Sequence, residues 1–227
     1  MRALTIFFFS LFSLPLVLNA QSVDEMLQKV SAAIESGQHG QAVSYFRQTI
    51  GLNIDRTEMF YWTSIDKSSE ISSKLAVELA SAYRRNRSYD KAYLFYKELL
   101  QKTPDNVDYL EACAEMQVCR GHEKEALRMY EKVLQLDTDN LAANIFLGNY
   151  YYLMAEKEKK RLDTDFKKLA SPTKMQYARY RDGLSEVFST GYQKARNSLR
   201  KVISQFPSTE AQKTLDKILR IEKEVNR

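Results

Sequence analysis

Between Ser73 and Asn140 the chain carries one 34-residue pattern twice in succession. In the first copy Leu79, Ala80, Tyr83, Ala92, Tyr96 and Pro104 occupy places 7, 8, 11, 20, 24 and 32. In the second, which starts at Val107, those places hold Cys113, Ala114, Gln117, Ala126, Tyr130 and Thr138. Small residues at places 8 and 20 suit two helices per copy, A and B, that cross too closely for a large side chain. A repeat of this length cannot bury its apolar face alone and must stack on its neighbours.

A 34-residue period with small residues at 8 and 20 and an aromatic at 24 resembles the tetratricopeptide repeat (TPR) family, with Gln117 a departure from the aromatic usual at place 11. The resemblance implies an all-α fold, a right-handed α-solenoid of about five TPR-like helix pairs with a C-terminal capping helix. It covers most of residues 23–209, with repeats at about 23–56, 73–106, 107–140, 141–175 and 176–209, an insert at 57–72 and a cap helix at 208–227.

The apolar run from Ala3 to Leu18, behind Arg2 and ending in Leu18-Asn19-Ala20, resembles a secretory signal peptide over residues 1–20, cleaved before Gln21. It is shorter than the roughly 20 apolar residues that span a bilayer. Residues 21–227 then form the repeat domain of an exported protein, in the periplasm or at the surface of a bacterium. Seven Gly and four Pro among 227 residues favour helices over loops.

Taken in order, Ser22 and Glu25 form a capping box ahead of the first helix, and Gly37 and Gly40 mark its turn. The insert holds Met59-Phe60-Tyr61-Trp62, too apolar to leave in water, and is expected to cover a neighbouring repeat. Asp66 or Ser68 is placed to cap the next helix. Thr103 to Asn106 and Asp137 to Asn140 end the B helices of the two regular copies. In the fourth repeat nothing marks a turn, and Ala155, Leu162, Phe166 and Leu169 continue the stripe of Tyr151, so one helix is predicted from about Asn140 towards Asp163 or Leu169. Ser171-Pro172 predicts a helix start, Ser189 to Gly191 a turn, and Thr209 with Gln212 a capping box on the last helix.

No recognisable catalytic constellation is present. His39 and His122 fall at repeat turns, no Ser or Cys sits in an elbow or triad context, and no metal-binding motif occurs. Asp163-Thr164-Asp165 lacks the Gly and distal Glu of a calcium loop. Cys113 and Cys119, six residues apart on one helix, point about 240° apart and cannot bridge; both are read as buried or inert thiols. A non-enzymatic scaffold without cofactor or metal follows, and export makes nucleic acid an unsuitable partner.

By the resemblance, places 2, 5, 9, 12 and 13 of each A helix line a groove for a protein or peptide partner. The candidates carried over are Lys74, Arg84, Arg85, Glu111, Glu115, Asn149, Tyr152 and Tyr180, within a face that also includes Ile145, Leu153 and Phe188. Substituting Arg84 and Glu111 together is expected to weaken partner capture. Charge offers a second surface: residues 21–154 carry 15 basic and 19 acidic side chains, residues 155–227 carry 18 and 10. That basic third suits peripheral association with anionic lipid or glycan of the envelope.

Overall fold

Helix ends in this chain are written by a few short signals, and the computed structural model, which describes residues 22–225, shows which of them act. The helices are α1 (Val23–Glu35), α2 (His39–Leu52), α3 (Ile54–Ser64), α4 (Glu70–Arg85), α5 (Tyr89–Lys102), α6 (Val107–Cys119), α7 (Glu123–Leu136), α8 (Leu141–Lys167), α9 (Lys174–Val187), α10 (Gln193–Gln205) and α11 (Thr209–Val225). Among the described residues there is no strand, and no helix is long and apolar enough to cross a membrane. Residues 1–20, expected to be a signal peptide, lie outside the described residues. The chain divides into two compact parts between Ile65 and Asp66.

In the first part α1 packs on α2, with Met26, Leu27, Val30, Ala33, Ala42 and Phe46 buried. The capping box is formed: the Ser22 hydroxyl accepts from Glu25 N at 3.1 Å, and the Glu25 carboxylate accepts from Ser22 N at 3.2 Å. The aromatic cluster of the insert lies in a helix, α3, which Asn53 caps through Arg56 N at 2.9 Å. The cluster splits across the helix, with Tyr61 buried and Met59 and Trp62 about half exposed.

The second part stacks A and B helices, α5 against α6 and α7 against α8. Ala80, Ala92, Ala114 and Ala126, the small residues of places 8 and 20, have no exposed surface. The A-to-B turns share one device. Gly37, Arg87 and Gly121 all stand at place 15 with positive φ (70°, 58° and 77°), and the residue after each donates its backbone N–H five residues back, to Ala33, Tyr83 and Gln117. These left-handed helix stops favour glycine, and Arg87 carries the conformation without it. Asn106 and Asn140 cap the following A helices through Tyr109 N and Ala143 N.

Place 15 of the fourth repeat is Ala155, and there α8 runs on without a turn to Lys167. Three expectations downstream are corrected. The helix start lies at Thr173, not Ser171: Thr173 and Gln176 satisfy each other's backbone N–H groups reciprocally, whereas Ser171-Pro172 offers a single cap. Ser189 to Gly191 is no turn. Residues Phe188–Tyr192 form a π-helical bulge that joins α9 to α10, with Gln193 N donating to Phe188 O. The hydroxyls of Ser189 and Thr190 bond back to Glu186 O at 3.0 and 2.8 Å, so these polar residues stay inside the helix. At α11 the cap is Ser208, accepting from Ala211 N, so Thr209 is already helical and Gln212 stands one place too late for a box with Ser208. Asp66, likewise, holds Ser68 in the turn before α4, whose N-cap residue is Ser69.

The consequence is a split repeat. α8 packs chiefly on α10, and a Cβ on Gly148 would lie 3.0 Å from Leu199 Cδ2. Gly148 and Leu199 therefore meet as places 8 and 24 do within one repeat. Places 8 and 20 are 12 residues apart in Ala80/Ala92 and Ala114/Ala126 but 47 apart in Gly148/Ala195, so 35 residues are inserted. They form an arm: the distal half of α8 against α9, with Leu162 on Gly183 and Ala155 on Gly191. Gly183, expected at place 8 of a fifth repeat, serves this arm. Beyond it α11 packs on α10, burying Ala211, Leu215 and Ile218 and exposing Lys217, Arg220 and Glu224.

Candidate functional site

The inner face of the second part is built from α4, α6 and α8. Arg84, at place 12 of α4, reaches Glu115, at place 9 of α6, at 2.6 Å. The Asn140 amide at the start of α8 donates to Glu111 at 2.8 Å. These two bonds join the three A helices side by side. Beneath them lie tyrosines from place 24 of the B helices. Burial works against the Arg84 charge, but Glu115 and the Tyr96 hydroxyl outweigh it and raise its pKa. Burial pushes the Tyr130 phenol up to about 12, helped by Glu115 and Glu111.

The predicted residues thus separate. Arg84, Glu111 and Glu115 come together but are occupied with partners within the chain. Lys74 pairs with Glu70 on its own helix at 2.7 Å. Arg85 lines an open hollow with Ser81, Arg84, Tyr89, Glu115 and Cys119. Asn149 is exposed on α8. Tyr152 is half-buried, edge-on to Tyr192 at 6.2 Å. Tyr180 is not beside these groups. It stands in the arm, stacked on Phe166 at 4.3 Å, with its hydroxyl donating to Asp163 at 2.5 Å. Burial and the Asp163 carboxylate push its phenol up to about 12.

Sequence reasoning gave the charges more weight than two apolar neighbours on the same face. Ile145 and Leu153 are 42% and 64% exposed. With Asn149 they are spaced four residues apart, one stripe along α8. Their repeat places were a signal, but exposure at those places was not visible from the sequence.

The thiols differ. Cys113 is buried, and burial pushes its pKa up to about 12, whereas Cys119 is exposed, so the reading of both as buried or inert is corrected for Cys119. Alkylation of the folded protein is expected to label Cys119 alone, with Cys113 reacting only after denaturation. Peptide mass spectrometry reads this directly, and labelling of Cys113 under native conditions would contradict its burial.

Among the described residues no group of three or more His, Cys, Asp or Glu is placed to hold a metal ion. His122 Nδ1 lies 3.1 Å from Gln117 Oε1 at its turn.

Stacked helix pairs with a side-chain-lined inner face define a helical-repeat, protein-interaction scaffold. A tetratricopeptide repeat family model matches residues 75–107. A crystal structure from Bacteroides ovatus, provisionally named a protein binding protein, is 83% identical, covers 90% of this chain and 100% of its own, and superposes with a TM-score of 0.80. The chain belongs to the tetratricopeptide repeat family. A repeat protein from Parabacteroides merdae is 15% identical over 88% of this chain and 73% of its own, with a TM-score of 0.39. No curated protein matches the chain.

Proposed function

We propose that the protein is an exported, non-enzymatic adaptor that docks a partner protein or peptide on the inner face of α4, α6 and α8, and that apolar contact on α8 supplies most of the affinity. One observation carries this reading: Arg84 and Glu115 are paired with each other and Glu111 is bonded to Asn140, while Ile145 and Leu153 stand 42% and 64% exposed on the same face. Exposed ion pairs contribute about 0–1 kcal/mol. Full burial of one Leu or Ile side chain contributes about 1.5–3 kcal/mol. Packed repeats hold these side chains in place before the partner arrives, which limits the entropy lost on binding. Removal of residues 1–20 during export fits the apolar leader and leaves Ser22 free to start α1.

Affinity capture from a bacterial envelope extract tests the reading. Ile145→Ser with Leu153→Ser is expected to weaken binding of the captured partner about tenfold or more. Arg84→Ala with Glu111→Ala is expected to act less, because each removes a group already engaged within the chain. Equal capture by the Ile145/Leu153 variant, with an unchanged circular dichroism spectrum, would exclude this face.

A further inference from the structure

The arm ends in a surface that the docking face does not use. Residues 167–175, the end of α8, the connecting turn and the start of α9, are exposed without interruption. From Phe166 to Arg181 the chain holds Lys167, Lys168, Lys174, Arg179 and Arg181 and no acidic residue. Lys168 pairs with Asp165 at 2.9 Å, and Arg181 donates to Val225 O at 3.4 Å; among the described residues Lys174 and Arg179 have no ion-pair partner. Among these cations stand three apolar side chains in water: Leu169, 37% exposed, Met175, 65%, and Tyr177, 51%. Tyr177 leans on Phe166 at 6.0 Å and keeps the rest of its ring outside.

We infer that the tip of the arm is a contact for an anionic lipid surface. Its shape selects this occupant. The distal half of α8, Ala155 to Lys167, carries the tip about 20 Å outward along the helix. A convex end of nine exposed residues falls short of the roughly 20–30 residues a side of a stable protein interface. It suits a bilayer boundary, where Leu, Met and Tyr enter the headgroup layer and lysine stems extend to the phosphates. Charge complementarity points the same way, since clustered Lys and Arg beside apolar residues gain with each cation brought near an anionic leaflet. Among the described residues no helix is long and apolar enough to cross a membrane, and the contact is reversible, as one basic apolar tip gives only a weak anchor. It leaves the inner face of α4, α6 and α8 free, so the two surfaces can fail their tests separately.

The test is co-sedimentation of the full chain with vesicles of phosphatidylglycerol and phosphatidylcholine, against vesicles of phosphatidylcholine alone. Binding is expected only to the anionic vesicles and is expected to fall as salt rises. Lys167→Gln, Lys168→Gln and Lys174→Gln together are expected to weaken it about a hundredfold, and Leu169→Ser with Met175→Ser about tenfold or more. Since these positions are exposed, all variants should keep the wild-type spectrum. A Met175→Trp reporter, with Trp62→Phe removing the native indole, should shift its emission to the blue on anionic vesicles. Failure to sediment with anionic vesicles at low ionic strength would overturn the inference. So would equal binding to both vesicle types, unchanged binding by the lysine variant, or retention on a soluble polyanion such as dextran sulfate without vesicle binding.

Discussion

Gly191→Ala lowers the stability of the folded chain by about 1–3 kcal/mol, the cost of forcing an atom into a packed helix crossing. A Cβ at this position would stand 2.6 Å from the Cβ of Ala155, 3.3 Å from its Cα and 3.4 Å from Tyr151 O. None of these atoms is the end of a flexible side chain, so α8 and the π-helical bulge must move apart. Separation there also strains the hydrogen bond of Tyr192 to Glu156, 2.5 Å, and the edge contact of Tyr152 with Tyr192. Ala155→Gly in the same chain removes the nearest atom. The double variant should therefore be more stable than the sum of the two single effects by about 1 kcal/mol or more, which a double-mutant cycle in urea measures. Glycine inside α8 costs up to about 1 kcal/mol by itself, and the cycle separates that from the clash. Strict additivity would mean that the crossing is not tight at Gly191.

Excision of residues 156–190 leaves a protein that still folds, with α8 paired to α10. The 35 residues removed bring Gly148 and Ala195 back to the 12-residue spacing of the regular repeats. Gly191 then follows Ala155 close to place 15, where the other repeats carry Gly37, Arg87 and Gly121 with positive φ. The excision gives up Val187, which is buried, and the Tyr192 to Glu156 hydrogen bond, so a lower melting temperature is expected. It also removes the arm, and with it binding to anionic vesicles. Circular dichroism and thermal unfolding decide the first point, and co-sedimentation the second. A product without a cooperative transition would show that the arm is needed to bring α8 and α10 together.

Much of the regular architecture was legible because each signal acts over a few residues. Alanines at places 8 and 20 report helix crossings, Asn106 and Asn140 report caps, and Gly37 and Gly121 report left-handed stops. The candidate face was legible only as a set of places. Arg84 and Glu115 are 31 residues apart, and nothing local says that they satisfy each other and so have little left for a partner. Exposure of Ile145 and Leu153 depends in the same way on what the neighbouring helices leave uncovered.

The fourth repeat marks the boundary between the two kinds of information. By itself the sequence determined the repeat, its period, the small residues at the crossings and a helix that does not stop at Ala155. It also offered a false register, since Gly183 and Ala195 fall at places 8 and 20 of a frame starting at Gln176. Only the tertiary structure decided that Gly183 packs on Leu162 while Ala195 belongs with Gly148. An uninterrupted amphipathic helix carries an apolar stripe but no record of which helix will cover it. Likewise Ser189, Thr190 and Gly191 spell a turn in isolation. The hydroxyls are satisfied within the helix at Glu186, and the glycine admits Ala155 of α8, a contact that exists only once the two helices have met.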